Sequence, residues 1–481
     1  MKLLISNFIL LTSLFPCLAV EIRDVNDVRF QGDSTLMGMK IESSYFSDGA
    51  FLIETTGARF EYAKGNLKLY QGLDKNNRRL LSTITFDNEP NFIKVEDNND
   101  HIIFWSKDLN IGIYGDSTLI ISPKVNQSLK CQGNFKPDYE GRYKGELLLI
   151  DDKGGMEIYP QRYEKGYEID KIELGRTDWI ADYKLKAGER VMIAAFPGRP
   201  FDWEKSFKSN MTILQSNNDL NGINPYAKMP PDDMFRQWSD YINVIVIWYK
   251  ILYQNSDYKG PYIVAEKAEF ERVLEVCHQS QIKVAAYVSF LEHYRKYHNE
   301  KLFYQEIVEL SKQFRIDGVY IDGLRFDVGR EKNDDKIANW EMIRILRNLF
   351  GANGMLVLHG THGGKPVSTV PNIDTYCDIT LYGENVPFKS TDDPYVKYQV
   401  GKYGISNAIA LWMPGHHPPQ ITRKDMINTM LEMNGRDFWW GEGGIRTFIN
   451  GSYKWKTRPG IDFQYYLTRL EKIKRDHSEK Q

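Results

Sequence analysis

The feature that most constrains the fold is the regular alternation of strand-like and helix-like patterns after residue 225. Short apolar runs recur at intervals of about 25 to 40 residues, the length of one βα unit. These runs are Val244–Trp248, Val284–Val288, Val319–Ile321, Met355–Leu358, Ile379–Tyr382, Ala408–Trp412 and Phe438–Trp440. Helical patterns lie between or after them at Glu266–Gln279, Lys301–Phe314, Lys336–Phe350 and Phe463–Arg475. Nearly continuous apolar strands indicate burial on both faces, and therefore a parallel sheet covered by helices.

A closed (β/α)8 TIM barrel needs eight strands, and seven are clear. The eighth is Tyr262–Ala265, Ile445–Phe448 or a segment before Asp240. The rival is an open doubly wound sheet, but no GxGxxG turn follows a first strand. We therefore predict a TIM-barrel domain over residues 225–481.

The N-terminal half has a different pattern, in which short apolar runs are separated by Gly, Asn and Asp turns without sustained helical periodicity. Phe51–Glu54, Ile102–Trp105, Leu147–Ile150 and Val191–Ala194 are examples. Such a pattern favours antiparallel strands packed as a sandwich. The predicted fold class is thus all-β and α/β in two domains, an antiparallel β-sandwich over residues 20–205 followed by the barrel.

Residues 1–19 have the pattern of a secretory signal peptide. Lys2 precedes about a dozen apolar residues, which are too few to span a membrane. A lipoprotein signal that would lipidate Cys17 ranks second, because Leu14-Phe15-Pro16 lacks the small residues such a site prefers. The sequence predicts an exported protein, periplasmic, extracellular or held at the cell surface.

Charge and cysteine content exclude several classes of protein. The chain has 62 Lys+Arg against 64 Asp+Glu, so the positive charge expected of a nucleic-acid binder is missing. Beyond Cys17, the three cysteines Cys131, Cys277 and Cys377 are odd in number and widely spaced. They do not form a disulfide framework and are expected to be buried apolar residues. No sequence pattern implies a cofactor.

Aromatic, acidic and imidazole side chains dominate the carboxyl ends of the predicted barrel strands, where barrel active sites lie. Tyr and Trp combine an apolar face with a polar tip, which suits them to carbohydrate ligands. We therefore expect a carbohydrate substrate. The candidate substrate-binding residues are Trp248, Lys250, Tyr287, Arg325, His359, Tyr382, Trp412 and Trp440.

Two carboxylates stand out among the strand ends. Asp322 and Glu384 follow strands that are next-but-one in the predicted order, so their backbones lie roughly 10 Å apart. Side chains that lean inward bring the carboxyl groups to roughly 5 to 9 Å, the range of glycosidase pairs. Both retention and inversion remain open by this route. Asp317 and Asp378 begin their strands at the opposite face and are expected to be structural.

The strand sequences GVYID and DITLYGE, behind a β-sandwich, resemble the glycoside hydrolases of clan D. These include the α-galactosidase-like families and those acting on α-N-acetylgalactosaminides. The resemblance implies a retaining enzyme for α-glycosides, with a nucleophilic Asp at the end of barrel strand four and a carboxylate acid/base at strand six. It assigns these roles to Asp322 and Glu384.

Two rival functions accompany this hypothesis. The first is a non-catalytic carbohydrate-binding protein on the same scaffold. The second is a metal-dependent hydrolase built on His359, His362, His416 and His417. The His359–His362 spacing is not a helical HExxH, and no Cys or Asp completes a known ligand set, so no metal is predicted. The sequence makes no prediction of oligomeric state.

Overall fold

The computed structural model describes most of the chain from Gly32 onward. The described residues are 32–97, 100–143, 145–161, 177, 179–215, 229–248, 259–324, 327–328, 333–334, 336–359, 371–382, 407–409, 422–432, 435–436, 446–449 and 452–479. The predicted signal peptide and Cys17 lie outside them. Within these ranges, no helix combines the length and apolar character needed to cross a membrane.

The N-terminal half contains two large antiparallel sheets, as the sequence predicts. Strands are numbered in chain order. The first sheet has seven strands in the spatial order β1 (Ile41–Ser47), β2 (Ala50–Thr55), β3 (Ala58–Ala63), β4 (Asn66–Gln71), β5 (Arg79–Phe86), β10 (Gln127–Gly133) and β14 (Ile180–Leu185). The second has eight, in the order β11 (Tyr139–Tyr143), β12 (Glu146–Asp151), β13 (Gly154–Pro160), β15 (Val191–Phe196), β9 (Thr118–Pro123), β8 (Leu109–Tyr114), β7 (His101–Ser106) and β6 (Phe92–Asp97).

The two sheets share one apolar core. Phe60 and Leu69 of the first sheet belong to the same buried cluster as Ile111, Leu149 and Ile193 of the second. β12, β13 and β15 are buried along their whole length, because their outer face is covered as well.

The C-terminal half is built on a parallel sheet of eight strands that follow one another in chain order. The strands are β16 (Met211–Gln215), β17 (Val244–Trp248), β18 (Lys283–Val288), β19 (Gly318–Asp322), β22 (Met355–His359), β23 (Ile379–Tyr382), β24 (Asn407–Ile409) and β25 (Gly435–Arg436). The eighth strand is thus β16, the option before Asp240, and it lies between the two predicted domain ranges. Asp322 therefore ends the fourth strand.

The described residues form a parallel sheet of eight strands, and its closure into a barrel stays a prediction. Within the described residues, β25 and β16 share no backbone pairing. Arg436 Nε on β25 donates to the carbonyl of Ser206 over 3.1 Å, just ahead of β16. The sheet's last strand therefore lies beside the segment that leads into its first.

Helices connect the parallel strands and cover their outer side. In chain order they are α1 (Trp203–Phe207), α2 (Asp232–Trp238), α3 (Lys267–Gln279), α4 (Phe290–Tyr297), α5 (Glu300–Gln313), α6 (Lys336–Phe350), α7 (Pro371–Asp374), α8 (Arg423–Glu432) and α9 (Ile461–Ser478). Two 3₁₀ turns, Ser34–Met37 and Lys75–Asn77, and two short hairpins complete the elements: β20 (Asp327–Val328) with β21 (Asn333–Asp334), and β26 (Arg446–Ile449) with β27 (Ser452–Trp455).

The first five parallel strands, β16 to β19 and β22, alternate between two apolar environments. On β19, Val319 and Ile321 belong to the cluster formed with the helices, whereas Tyr320 belongs to a separate cluster on the inner face. This period-two alternation decides which strand-end side chains reach the inner face. Cys131, Cys277 and Cys377 are buried free thiols, which confirms the reading of them as buried apolar residues.

Candidate active site

Four described side chains meet at the carboxyl ends of neighbouring strands. Trp248 ends β17, Tyr287 is the penultimate residue of β18, Asp322 ends β19 and His359 ends β22. Asp322 lies opposite His359 in the strand register, and Tyr287 lies opposite Tyr320. Since parallel strands share one carboxyl edge, the register itself brings these side chains together.

Both carboxylate oxygens of Asp322 are hydrogen-bonded. The Tyr287 hydroxyl donates to Oδ2, and His359 Nδ1 lies 3.1 Å from Oδ1. Because a carboxylate oxygen accepts, this contact assigns the proton of the imidazole to Nδ1. Hydrogen bonds of this kind favour the ionised carboxylate.

The Asp322 carboxylate is reachable as well as held. Its side chain is 32% exposed, whereas the side chain of His359 is 13% exposed. Tyr287 is buried, with only 4% of its surface exposed. The Asp322 carboxylate is therefore partly exposed at the carboxyl ends of the strands, and it is hydrogen-bonded to two less exposed side chains, Tyr287 and His359.

Three aromatic rings form a stack beneath this carboxylate. The ring centroids of Trp248 and Tyr287 are 4.3 Å apart, with planes 7° from parallel. Tyr287 and Tyr320 are 5.0 Å apart, with planes 14° from parallel. Both faces of the Tyr287 ring are thus covered by neighbours, so this ring does not provide a free stacking face for a sugar, and its polar tip is directed to Asp322.

Tyr320 is a site residue that the sequence reasoning missed. It lies two residues before Asp322, and the period of two in a strand places both side chains on the same face. That alternation is a usable signal for Tyr320, which lies inside the apolar run Val319–Ile321.

The structure leaves several predicted site residues untested. Glu384, Lys250, Arg325, Trp412 and Trp440 lie outside the described residues. Tyr382 ends β23, and only its backbone is described. Of the ten predicted site residues, the structure brings together Trp248, Tyr287, Asp322 and His359.

The acidic residues at the opposite ends of the strands have structural partners. Asp317 Oδ2 accepts a hydrogen bond from Val284 N over 2.7 Å and lies 2.9 Å from His278 Nε2. Asp378 accepts from Leu356 N over 2.7 Å and from the buried Arg347 guanidinium over 2.5 Å. These contacts agree with the structural role predicted for both carboxylates.

A metal centre has no support in the described part of the chain, where no three His, Cys, Asp or Glu side chains are grouped as ligands. Of the four histidines considered for one, His362, His416 and His417 lie outside the described ranges. The imidazole of His359 contacts the Asp322 carboxylate.

No protein-family model and no curated protein matches the sequence. Solved structures similar to this chain include a Flavobacterium johnsoniae GH31 dextranase (7% identity, 83% of this chain and 65% of that chain, TM-score 0.34). Others are a GH31 α-xylosidase from a soil metagenome (8%, 89% and 83%, TM-score 0.39) and a GH31 sulfoquinovosidase from E. rectale (9%, 82% and 77%, TM-score 0.31). The chain therefore spans just under two thirds of the dextranase. TM-scores below 0.5 do not establish a common fold.

Proposed function

We propose that this protein is a glycoside hydrolase in which Asp322 is the nucleophile and Glu384 the acid/base. The observation that carries the proposal is the state of Asp322, a partly exposed carboxylate whose two oxygens are fixed by Tyr287 and His359 at the end of strand four. A glycosidase nucleophile must be ionised, oriented and accessible to the anomeric carbon. Asp322 is partly exposed and oriented by two hydrogen bonds, which are of the kind that favours an ionised carboxylate.

Sheet order supports Glu384 as the partner. Glu384 follows β23, the sixth strand, and only β22 separates β23 from β19. Two such strand spacings correspond to roughly 10 Å between β19 and β23, and we propose that carboxyl groups leaning inward from their ends approach the separation of about 5 to 5.5 Å used by retaining enzymes. The nucleophile at strand four and acid/base at strand six are also the arrangement implied by the resemblance to clan D, and α-glycosides are the substrates we propose.

The mechanism has two displacements. Glu384 protonates the glycosidic oxygen while Asp322 attacks the anomeric carbon, which releases the aglycone and forms a glycosyl ester on Asp322. Glu384, now a carboxylate, takes a proton from water, and the resulting nucleophile cleaves the ester with a second inversion. Tyr287 and His359 hold Asp322 in place before attack and stabilise it again when it leaves.

The decisive experiment is a screen of aryl α- and β-glycosides with the wild-type protein, followed by the best substrate with Asp322→Asn. We expect the wild-type protein to hydrolyse α-glycosides and to release an α-anomer as the first product seen by NMR. In Asp322→Asn, kcat should fall by a factor of about 10³ or more, because the covalent nucleophile is removed. Asp233→Asn, at an exposed position on α2, is the matched control and should keep full activity.

Three outcomes contradict the proposal. Wild-type binding of oligosaccharides without turnover would favour a carbohydrate-binding protein. A β-anomer as the first product from an α-glycoside would exclude the double displacement. Loss of turnover on chelation would favour the metal-dependent alternative.

We also propose export, on the pattern of residues 1–19 alone. Amino-terminal sequencing of the protein from its native cells should find a mature chain that begins after Ala19. A chain that retains Met1 would contradict this.

A further inference from the structure

We propose that Ser289 and Tyr262 are positioning residues for Asp322, acting on the backbone that carries the nucleophile. This inference rests on the proposed function and deepens it. The evidence is a set of hydrogen bonds between the first turn of α4 and the turn that follows β19.

Ser289 occupies the N-cap position of α4, with φ −114° and ψ 102°, but its hydroxyl makes no cap hydrogen bond. A serine at this position ordinarily accepts from a backbone N–H in the first turn, which stabilises the helix. Here the hydroxyl instead donates to the Asp322 carbonyl oxygen over 3.2 Å. The side chain best placed to cap the helix is directed at the nucleophile's backbone.

The first turn of α4 makes a second bond to the same turn. The backbone N–H of Leu291 donates to the Gly323 carbonyl over 3.0 Å, so the segment after Asp322 supplies the helix cap that Ser289 does not. Gly323 has a left-handed backbone with φ +67°, and a Cβ there would lie 3.3 Å from Leu291 Cβ. Asp322 and the residue after it are thus both hydrogen-bonded to the amino end of α4.

Tyr262 fixes Ser289 in turn. Its hydroxyl donates to the Ser289 carbonyl over 3.0 Å and accepts from the Ser289 N–H over 3.1 Å. Tyr262 is 5% exposed and Ser289 1% exposed, so both bonds are shielded from water. The buried Tyr262 hydroxyl is therefore hydrogen-bonded to both backbone polar groups of Ser289, its N–H and its carbonyl.

Tyr262 is itself held by contacts with α4 and α5. Its ring stacks on the His293 ring of α4 with centroids 5.6 Å apart. Its backbone N–H donates to Glu306 Oε2 of α5 over 3.2 Å. His293 Nε2 lies 3.2 Å from the same Glu306 oxygen. The result is a continuous set of contacts from two helices, through Tyr262 and Ser289, to the backbone of Asp322.

A nucleophile displaced by about 1 Å can lose on the order of a hundredfold in rate, because attack requires an aligned approach. Removal of either hydroxyl should therefore lower kcat while it leaves KM nearly unchanged, since neither residue is proposed to contact substrate. A purely structural role would lower thermal stability without that effect on kcat.

The test compares Ser289→Ala, Ser289→Thr and Tyr262→Phe with the wild type on its best aryl glycoside. Because alignment alone is lost, we expect kcat to fall roughly tenfold to a hundredfold in Ser289→Ala and Tyr262→Phe. Ser289→Thr, which keeps the hydroxyl, should recover most of the rate. Ser239→Ala, which removes a hydroxyl bonded to Arg236 O near the amino ends of the strands, and Tyr304→Phe on α5 are matched controls that should keep full kcat.

Wild-type turnover with unchanged kcat in Ser289→Ala and Tyr262→Phe would overturn this inference alone. A fall in kcat that Ser289→Thr does not restore, accompanied by an equal loss in the controls, would also overturn it. Absence of wild-type turnover on every glycoside would overturn the proposed function, and this inference with it.

Discussion

At the scale of single residues, the site is defined by how one carboxylate is held. Asp322 accepts from a buried phenol on β18 and contacts an imidazole on β22, so its two oxygens are fixed by the strands on either side of its own. Both faces of the buried Tyr287 ring are covered, one by Trp248 and the other by Tyr320.

Tyr287→Phe keeps the ring stack and removes only the hydroxyl that donates to Asp322. The charged carboxylate then loses a hydrogen bond, which is worth about 1.5 to 3 kcal/mol when one partner is ionised. Since that bond favours the ionised form, the acid limb of the kcat/KM profile should move to higher pH, with activity lost first at low pH. Measurement of kcat/KM from pH 4 to 8 checks this, and an acid limb that does not move would contradict it.

At the scale of elements, the N-cap residues of two neighbouring helices have different roles: one stabilises its helix, and the other contacts the backbone of Asp322. Asn299 caps α5 in the ordinary way, its side-chain oxygen accepting from Leu302 N over 3.1 Å. Ser289 occupies the equivalent position of α4, but its hydroxyl donates to Asp322. Two neighbouring helices thus use the same position for different purposes.

Asn299→Ala should lower the free energy of unfolding by about 1 kcal/mol and leave kcat unchanged, because only a helix cap is lost. Denaturant unfolding of Asn299→Ala and Asn299→Asp checks this, with Asp expected to retain the wild-type value. If Asn299→Ala instead lowered kcat at unchanged stability, the contrast with Ser289 would be wrong.

At the scale of the whole molecule, buried charges join the β-sandwich to the parallel sheet and its helices. Arg344 on α6 donates to Asp100 of the sandwich and, over 2.8 Å, to the Gly32 carbonyl. Asp116, on the turn between β8 and β9, accepts from Trp340 Nε1 and from the Tyr376 hydroxyl, both over 2.7 Å. The two halves are therefore held together by oriented polar contacts as well as by apolar packing.

The pairing of Asp100 gives stability a defined dependence on pH. Burial by itself raises the pKa of Asp100, but Arg344, His101 and Ser34 outweigh it and hold this pKa well below the ordinary value of 3.8. A carboxyl whose folded pKa is lowered stabilises the fold above the unfolded value, and that stability is lost as pH falls below about 4. Thermal unfolding between pH 7 and pH 3 should therefore show a progressive loss of stability that begins near pH 4.

Asp100→Asn is the variant that isolates this effect. At pH 7 it should be less stable by about 3 to 5 kcal/mol, because the buried Arg344 loses the carboxylate to which it donates. Its stability should then fall less steeply in acid than that of the wild type. Parallel curves for the two proteins from pH 5 to pH 3 would show that the Asp100–Arg344 pair does not cause the acid loss.

Elements whose patterns are local could be predicted from the amino-acid sequence alone. The bounds predicted for α6, Lys336–Phe350, and for two strands, Val244–Trp248 and Ile379–Tyr382, agree with the structure at both ends. Apolar periodicity and burial on two faces specify such elements without any knowledge of their neighbours. The strand-end position of Asp322 followed from the same pattern.

The contacts of Asp322 could not be predicted from the sequence, because they depend on the folded arrangement of the strands. Tyr287 and His359 were expected to bind substrate, whereas strand register turns both toward this carboxylate. Tyr262 and Ser289 reach it through bonds between segments that are distant in the chain. The sequence also left three segments open for the eighth strand, and the structure assigns it to β16, before Asp240. A sequence pattern records which face a residue occupies, but partners across strands depend on register and sheet order, which are properties of the folded chain.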